Sequence, residues 1–244
     1  MPESDPFAPP SGAEPAGRAA PWSPPAYGVR TDPYVPAWTP APPVPVGLGT
    51  ATIALGGAWT ALQVFMLATS FSAAEQYEAA EASGRDLMDV FTGYDVLGTL
   101  QLPVNMAAFV VGCLWLQGSR AYAEATAPTV HHRRGRVWVW LDWVVPVVSL
   151  WFPFQVVRDV CAGSGVRLHR TLGPWWACWL ATMWLTNQAS FASLGLGSRD
   201  PAATPVYELL ATPLTVCGFV LWVRIVRAVT EAQKRTRGDG LLTS

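Results

Sequence analysis

The sequence predicts an all-α membrane protein: four transmembrane helices, one Trp/Pro-rich broken helix that is re-entrant or interfacial, and a disordered Pro-rich N-terminal tail. Three observations predict it. Hydrophobic residues make up 51% of the 244 positions and charged residues only 14%, where ordinary soluble domains carry about 25% charged residues. Four apolar runs each approach the roughly 20 residues that a hydrocarbon core about 30 Å thick requires. Fourteen of the 16 Lys and Arg residues fall on one side of one particular threading of those runs. The net charge of −1 says nothing about partners, and no nucleic-acid partner is expected.

Residues 1–45 hold 14 of the 22 prolines and few branched aliphatics. Such a segment cannot bury enough apolar area to offset its ordering entropy, so it reads as a disordered cytoplasmic tail with polyproline II character. The positive n-region and short apolar h-region of a signal peptide are missing. Pro24-Pro25-Ala26-Tyr27 and Pro21-Trp22-Ser23-Pro24 have the look of ligands for aromatic grooves. Such matches arise by chance in a proline-rich tail, which reads first as a flexible spacer and second as a docking arm for a protein partner.

The membrane domain spans residues 46–230. Its first span, 48–71, carries no charge, and Gly57 with Ala61, like Ala54 with Ala58, has the spacing that lets helices approach closely. Residues 73–95 form an acidic connector of helical character, with Glu75, Glu78, Glu81, Asp86, Asp89 and Asp95 against Arg85 alone. The second span, 96–116, contains Pro103 as a kink. Gln101 and Asn105 share a face there; they either hydrogen-bond a neighbouring helix or line a polar path. A basic loop follows, with Arg120, Arg133, Arg134 and Arg136 beside His131 and His132.

Residues 137–157 are the stretch around which the rest is organised. They are apolar enough to span, yet contain Asp142, Pro146 and Pro153, and Trp138, Trp140, Trp143 and Trp151 crowd their start. Beyond them come Arg158, Arg167, His169 and Arg170, then a span at 172–192 that opens on Trp175, Trp176 and Trp179. A Gly/Pro/Ser turn leads to the last span, 206–229. Residues 231–244 are a short tail carrying Lys234, Arg235 and Arg237.

Charge decides how that stretch is threaded. Positive residues in short loops favour the cytoplasmic side. If all five apolar stretches cross, 7 Lys and Arg lie inside and 9 outside. If residues 137–157 enter and leave on the cytoplasmic side, the division is 14 to 2, and both termini are cytoplasmic. Pro146 and Pro153 each remove a donor from the helix ladder and split the stretch into pieces too short to span. The competing reading is a kinked but complete span.

The run Trp143-x-x-Pro146, Leu150-Trp151-x-Pro153 and Gln155-Val156-Val157-Arg158-Asp159, followed by the pair Trp175-Trp176, resembles an actinobacterial membrane-protein family catalogued as domain of unknown function 4328. The likeness covers about residues 46–235. In the basic loop Arg120-Ala121-Tyr122-Ala123-Glu124 keeps an Arg of a short family motif and lacks its Asn. The resemblance implies a multi-pass protein of the cell membrane and no particular activity.

Asp142 is the most informative single residue, because ionisable groups in apolar segments are costly and usually partnered. It either pairs with Arg224, Arg136 or Arg158, or is hydrated at headgroup level, or takes part in a proton or ion relay. Arg158 and Asp159 read as an interfacial anchor. Arg133, Arg134 and Arg136 form a juxtamembrane patch suited to anionic lipid headgroups, although the charge rule alone would place them there. His131 and His132 lack the further ligands a metal needs. Cys113, Cys161, Cys178 and Cys217 form no C-x-x-C pair and read as small packing residues. No hydrolase, zinc-protease, P-loop or dinucleotide signature is present, so neither an enzyme nor a cofactor is expected. The first functional reading is a non-enzymatic module that senses, scaffolds or binds partners at the membrane. The alternative is a small channel or transporter subunit whose path Gln101, Asn105, Asn187, Gln188 and Asp142 would line.

Overall fold

Where the proline run ends, apolar residues begin and the chain turns helical at once. Helix α1 (Val46–Ala82) continues through the first half of the acidic connector. A 3-10 turn at Leu87–Asp89 follows, capped by Asp86, whose carboxylate accepts from the Met88 N–H. Helix α2 (Gly93–Thr126) opens on a capping box: the Asp95 N–H bonds the Thr92 hydroxyl while the Asp95 carboxylate accepts from the Thr92 N–H. The stretch 137–157, expected as a re-entrant or interfacial broken helix, is divided into helix α3 (Trp138–Leu141), a 3-10 turn at Val148–Leu150 and helix α4 (Phe152–Gly163). Helices α5 (His169–Ser193) and α6 (Thr204–Leu242) complete the chain. The computed structural model describes residues 41–130, 132–143, 145, 147–196 and 200–242, and among them every regular element is helical. The expected disorder of residues 1–40 and the expected break at Pro146 lie outside the described residues.

Three helical segments, Val46–Ala82, Gly93–Thr126 and Pro201–Gly238, are long and apolar enough to cross a membrane. Helix α5, expected as a fourth, has 25 residues but falls short in hydropathy. The reason is its content of Thr, Ser, Asn, Gln and four tryptophans. Much of that polarity is spent within the helix. Thr186 donates to the Thr182 carbonyl, Asn187 to Met183, Ser190 to Thr186 and Ser193 to Ser190.

Side-chain contacts set the packing. Helix α1 lies along α2 and α6, and α5 lies along α6. Near its start, Gly49 faces Trp115 of α2 and Thr230 of α6, and Pro45 rests on Gly118. Near its far end, Tyr77 donates to Asp95 at 3.0 Å. The start of α1 therefore shares an end of the bundle with the close of α2 and the C-terminal half of α6. Arg120 and the 133–136 arginines make this the basic end; the connector makes the other end acidic. Gly56 and Gly57 let Phe219 approach to 3.3 Å of where a Cβ would stand. The small-residue expectation thus holds for Gly57, whereas Ala54, Ala58 and Ala61 do not face α6 in this way: Ala54, Ala58 and Ala61 are exposed. The outer faces of α1, α2 and α6 are apolar as well, with Phe65, Phe71, Leu102, Met106, Leu209 and Leu210 each at least half exposed.

Both pieces of the broken segment stay at the basic end. Cys113 donates to the Val139 carbonyl at 3.2 Å, and Trp140 Nε1 donates to Gln117 at 3.1 Å. Gly163 comes so close to α2 that a Cβ there would stand 2.9 Å from Ala123 Cβ. Pro153 occupies the first turn of α4, where proline is tolerated, so it starts a helix and the break falls before it. Val147, at φ 67, lies in that break.

Candidate functional site

The basic end is held by carboxylates and carbonyls, not by Asp142. Arg120 is buried; its Nε donates to Glu124 at 2.7 Å and its two terminal nitrogens to the carbonyls of Gly135 and Arg134. Arg136 reaches the other oxygen of Glu124 at 2.5 Å. Arg134 donates to Gln155 at 3.1 Å and lies 3.7 Å over the Phe152 ring. Asp159 accepts from the Arg133 N–H at 2.9 Å and stands 3.6 Å from Arg158. Two of the three arginines in the expected lipid patch are thus engaged in folding the loop, Arg134 onto α4 and Arg136 onto α2. Gln233 ties α2 and α4 to α6, donating to the Ser119 carbonyl and to Ser164.

Asp142 is fully buried, and neither carboxylate oxygen has a hydrogen-bond partner. The expected pairings do not form: Arg224 is exposed, Arg136 binds Glu124 and Arg158 binds Asp159. The carboxylate has no exposed surface at which bulk solvent could reach it. It faces the N–H groups of its own residue and of Trp143 without forming a bond of normal geometry, and burial pushes its carboxyl up to about 7.

Above this floor lies a cavity of about 570 Å³ between α1, α2, α5 and α6. Five indoles line it: Trp59, Trp143, Trp175, Trp179 and Trp222. Trp143, in the loop after α3, stands on the wall near its basic end, set edge-on to Trp179 at 5.6 Å and to Trp176 at 6.3 Å, while Trp176 and Trp179 stack at 4.8 Å. Trp176 Nε1 donates to the Leu150 carbonyl at 2.9 Å, fixing the broken segment to α5. Trp151, by contrast, is exposed and touches only Phe152 among aromatic rings. Between the indoles stand Thr52, Thr60, Thr182, Thr186, Thr215, Asn105 and Asn187, and among the described residues no Asp, Glu, Lys, Arg or His lines the wall.

A second polar group sits toward the acidic end, and the sequence reading passed over it. Glu208, 1% exposed, accepts from the Tyr94 hydroxyl at 2.6 Å and from Gln63 Nε2. Gln101 donates to Gln63 Oε1 at 3.1 Å. An acid within the last apolar run was the available signal, the same one that marks Asp142. Gln101 thus binds a neighbouring helix while Asn105 faces the cavity, so the two expectations for that face divide between them. Among the described residues no cluster of three His, Cys, Asp or Glu is placed to hold a metal.

The family model described as Domain of unknown function (DUF4328) matches residues 73–231. The chain belongs to this family. The DUF4328 match takes in the acidic end of α1, all of α2, the broken segment, α5 and α6 as far as Glu231; the α1 residues on the cavity wall precede it. No curated protein and no solved structure matches the chain.

Proposed function

We infer that the protein is a non-enzymatic membrane module that holds a ligand within a four-crossing bundle, both termini on the cytoplasmic side. The observation that carries this reading is the indole cluster at the cavity's basic end, where Trp143 packs against Trp176 and Trp179 and, among the described residues, no charged side chain lines the wall. A conduit needs favourable polar groups along its length. Here the polar residues proposed for a path are dispersed: Gln101 is bonded to Gln63, and Asp142 is not among the described residues on the wall. Four crossings are supported by α5 packing along α6 with polar groups bonded to its own carbonyls, which lowers their cost in hydrocarbon. The non-crossing course of the broken segment is supported by contacts of both its ends with the basic end of α2.

Exposed Arg133, Arg167 and Arg170 remain for anionic headgroups at that surface, and the proline-rich tail is the proposed arm for a protein partner. The test of module against conduit is a flux assay on proteoliposomes, with fluorescent readout of protons, sodium, potassium and a small neutral solute. No flux above empty liposomes is expected, in the wild type or in Trp143→Ala. Flux that Trp143→Ala raises would establish the transport reading instead.

A further inference from the structure

The four-helix arrangement lacks one wall. Helix α1 packs on α2 and α6, and α6 on α5, but α2 and α5 do not lie along each other. At the basic end α3 and α4 fill the space between them, through Phe109 against Trp140 and Trp176 bonded to Leu150. Beyond that level, Met106 and Gly112 of α2 face Met183 and Asn187 of α5 across the cavity itself. Resting on the reading of this bundle as a membrane-embedded binding module, we propose that the gap between α2 and α5 is a side entrance through which the hydrocarbon chain of a bilayer lipid, acyl or isoprenoid, enters and occupies the cavity.

Three features select that occupant. Among the described residues the wall carries no carboxylate, amine, guanidinium or imidazole, so it offers no counter-charge for an ionic solute. Of its polar side chains, Thr60 donates to the Gly56 carbonyl, Thr186 to Thr182, Thr215 to Ala211 and Asn187 to Met183, while Thr52 Oγ1 and Trp143 Nε1 are buried without a partner among the described residues. The bonded groups offer water few of the partners it needs to remain in a cavity. The volume, about 570 Å³, lies within the range of small-molecule sites, and an entrance facing lipid admits molecules already dissolved there.

Gly112 provides the test. It lines the cavity, and a Cβ on it would meet nothing within 4 Å, so Gly112→Trp adds bulk at the wall from a position with open space around it. Gly173 has equally open space around its Cβ but is not on the wall, so Gly173→Trp is the control. Full-length protein in nanodiscs is irradiated with a phospholipid bearing a diazirine near the end of its acyl chain and, in a parallel arm, with a diazirine-bearing polyprenyl phosphate. Mass spectrometry then reads labelling of peptides containing Met106 and Met183. Expected is labelling that Gly112→Trp lowers about tenfold, equivalent to about 1.4 kcal/mol of binding, and that Gly173→Trp leaves unchanged. Excess unlabelled lipid must also suppress it in the wild type, a readout that needs no variant. The responding arm identifies the chain class. Labelling insensitive to both the plug and the competitor, or absent from those peptides, overturns the proposal. If flux is absent at the same time, the binding-module reading survives with a different ligand; if flux is present, that reading falls too.

Discussion

Asp142 and Glu208 are the same chemical group in two opposite situations. Glu208 has two donors and Asp142 has none. Removing an acceptor leaves its donors buried and unpaired, so Glu208→Ala is expected to cost about 3 kcal/mol, read as a lower unfolding temperature in detergent. Asp142→Asn runs the other way. A carboxyl raised to about 7 binds a proton in the folded state at pH values where the unfolded state has released it. Wild-type stability therefore falls as pH rises from about 4 to about 7, and the asparagine variant escapes that fall. Asp142→Asn should gain stability relative to wild type across that window, as thermal unfolding at pH 5 and pH 8 will show; an equal gap at both would mean the carboxyl titrates normally. Both acids were legible as charges within apolar runs. Their partners were not, because a pairing depends on how each helix is rotated about its axis and on where the loops return. The sequence neighbours of Asp142 offered three arginines, and the fold sent two to other carboxylates and left the third exposed.

At the scale of elements, the broken segment was the most legible part and also the one with most detail hidden. Its prolines and tryptophans announced an interruption, and the structure has one, but Pro153 begins α4 instead of ending a helix. The break leaves Val147 at φ 67, a left-handed conformation that costs a β-branched residue on the order of 1–2 kcal/mol. Val147→Gly should therefore raise stability by about 1 kcal/mol, less than the full strain because glycine loses more backbone entropy on folding. Gly163→Val should lower it, since its Cβ would stand 2.9 Å from that of Ala123 and force α4 off α2. A thermal shift measured on the pair separates the two directions. Helix α5 was legible as a helix from its length. Its polarity is reconciled with an apolar setting only by bonds back to its own carbonyls, which composition does not reveal.

For the whole molecule, the arginine distribution predicts which end faces the cytoplasm, and the fold gives that prediction definite positions to test. Arg167 is exposed at the basic end and Arg85 is exposed in the acidic connector. Single cysteines at these two sites, in a background with the four native cysteines replaced, should react with a membrane-impermeant maleimide from opposite sides of intact cells or oriented vesicles. Labelling of both from one side would show that the segment between α2 and α5 crosses after all. The cavity was not legible at this scale. It arises because two helices that could have touched do not, and a sequence pattern reports which faces are apolar without reporting which of them meet.

The stacked indoles of Trp176 and Trp179, 9° from parallel with Trp143 set edge-on beside them, also give the molecule a built-in optical signal. Neighbouring indole transitions held in a fixed asymmetric array mix, and the mixing gives a bisignate circular dichroism band. Undocking the segment that carries Trp143 would change that band without any dye, tag or label, so the seating of that segment can be followed in the purified protein by its ultraviolet spectrum alone.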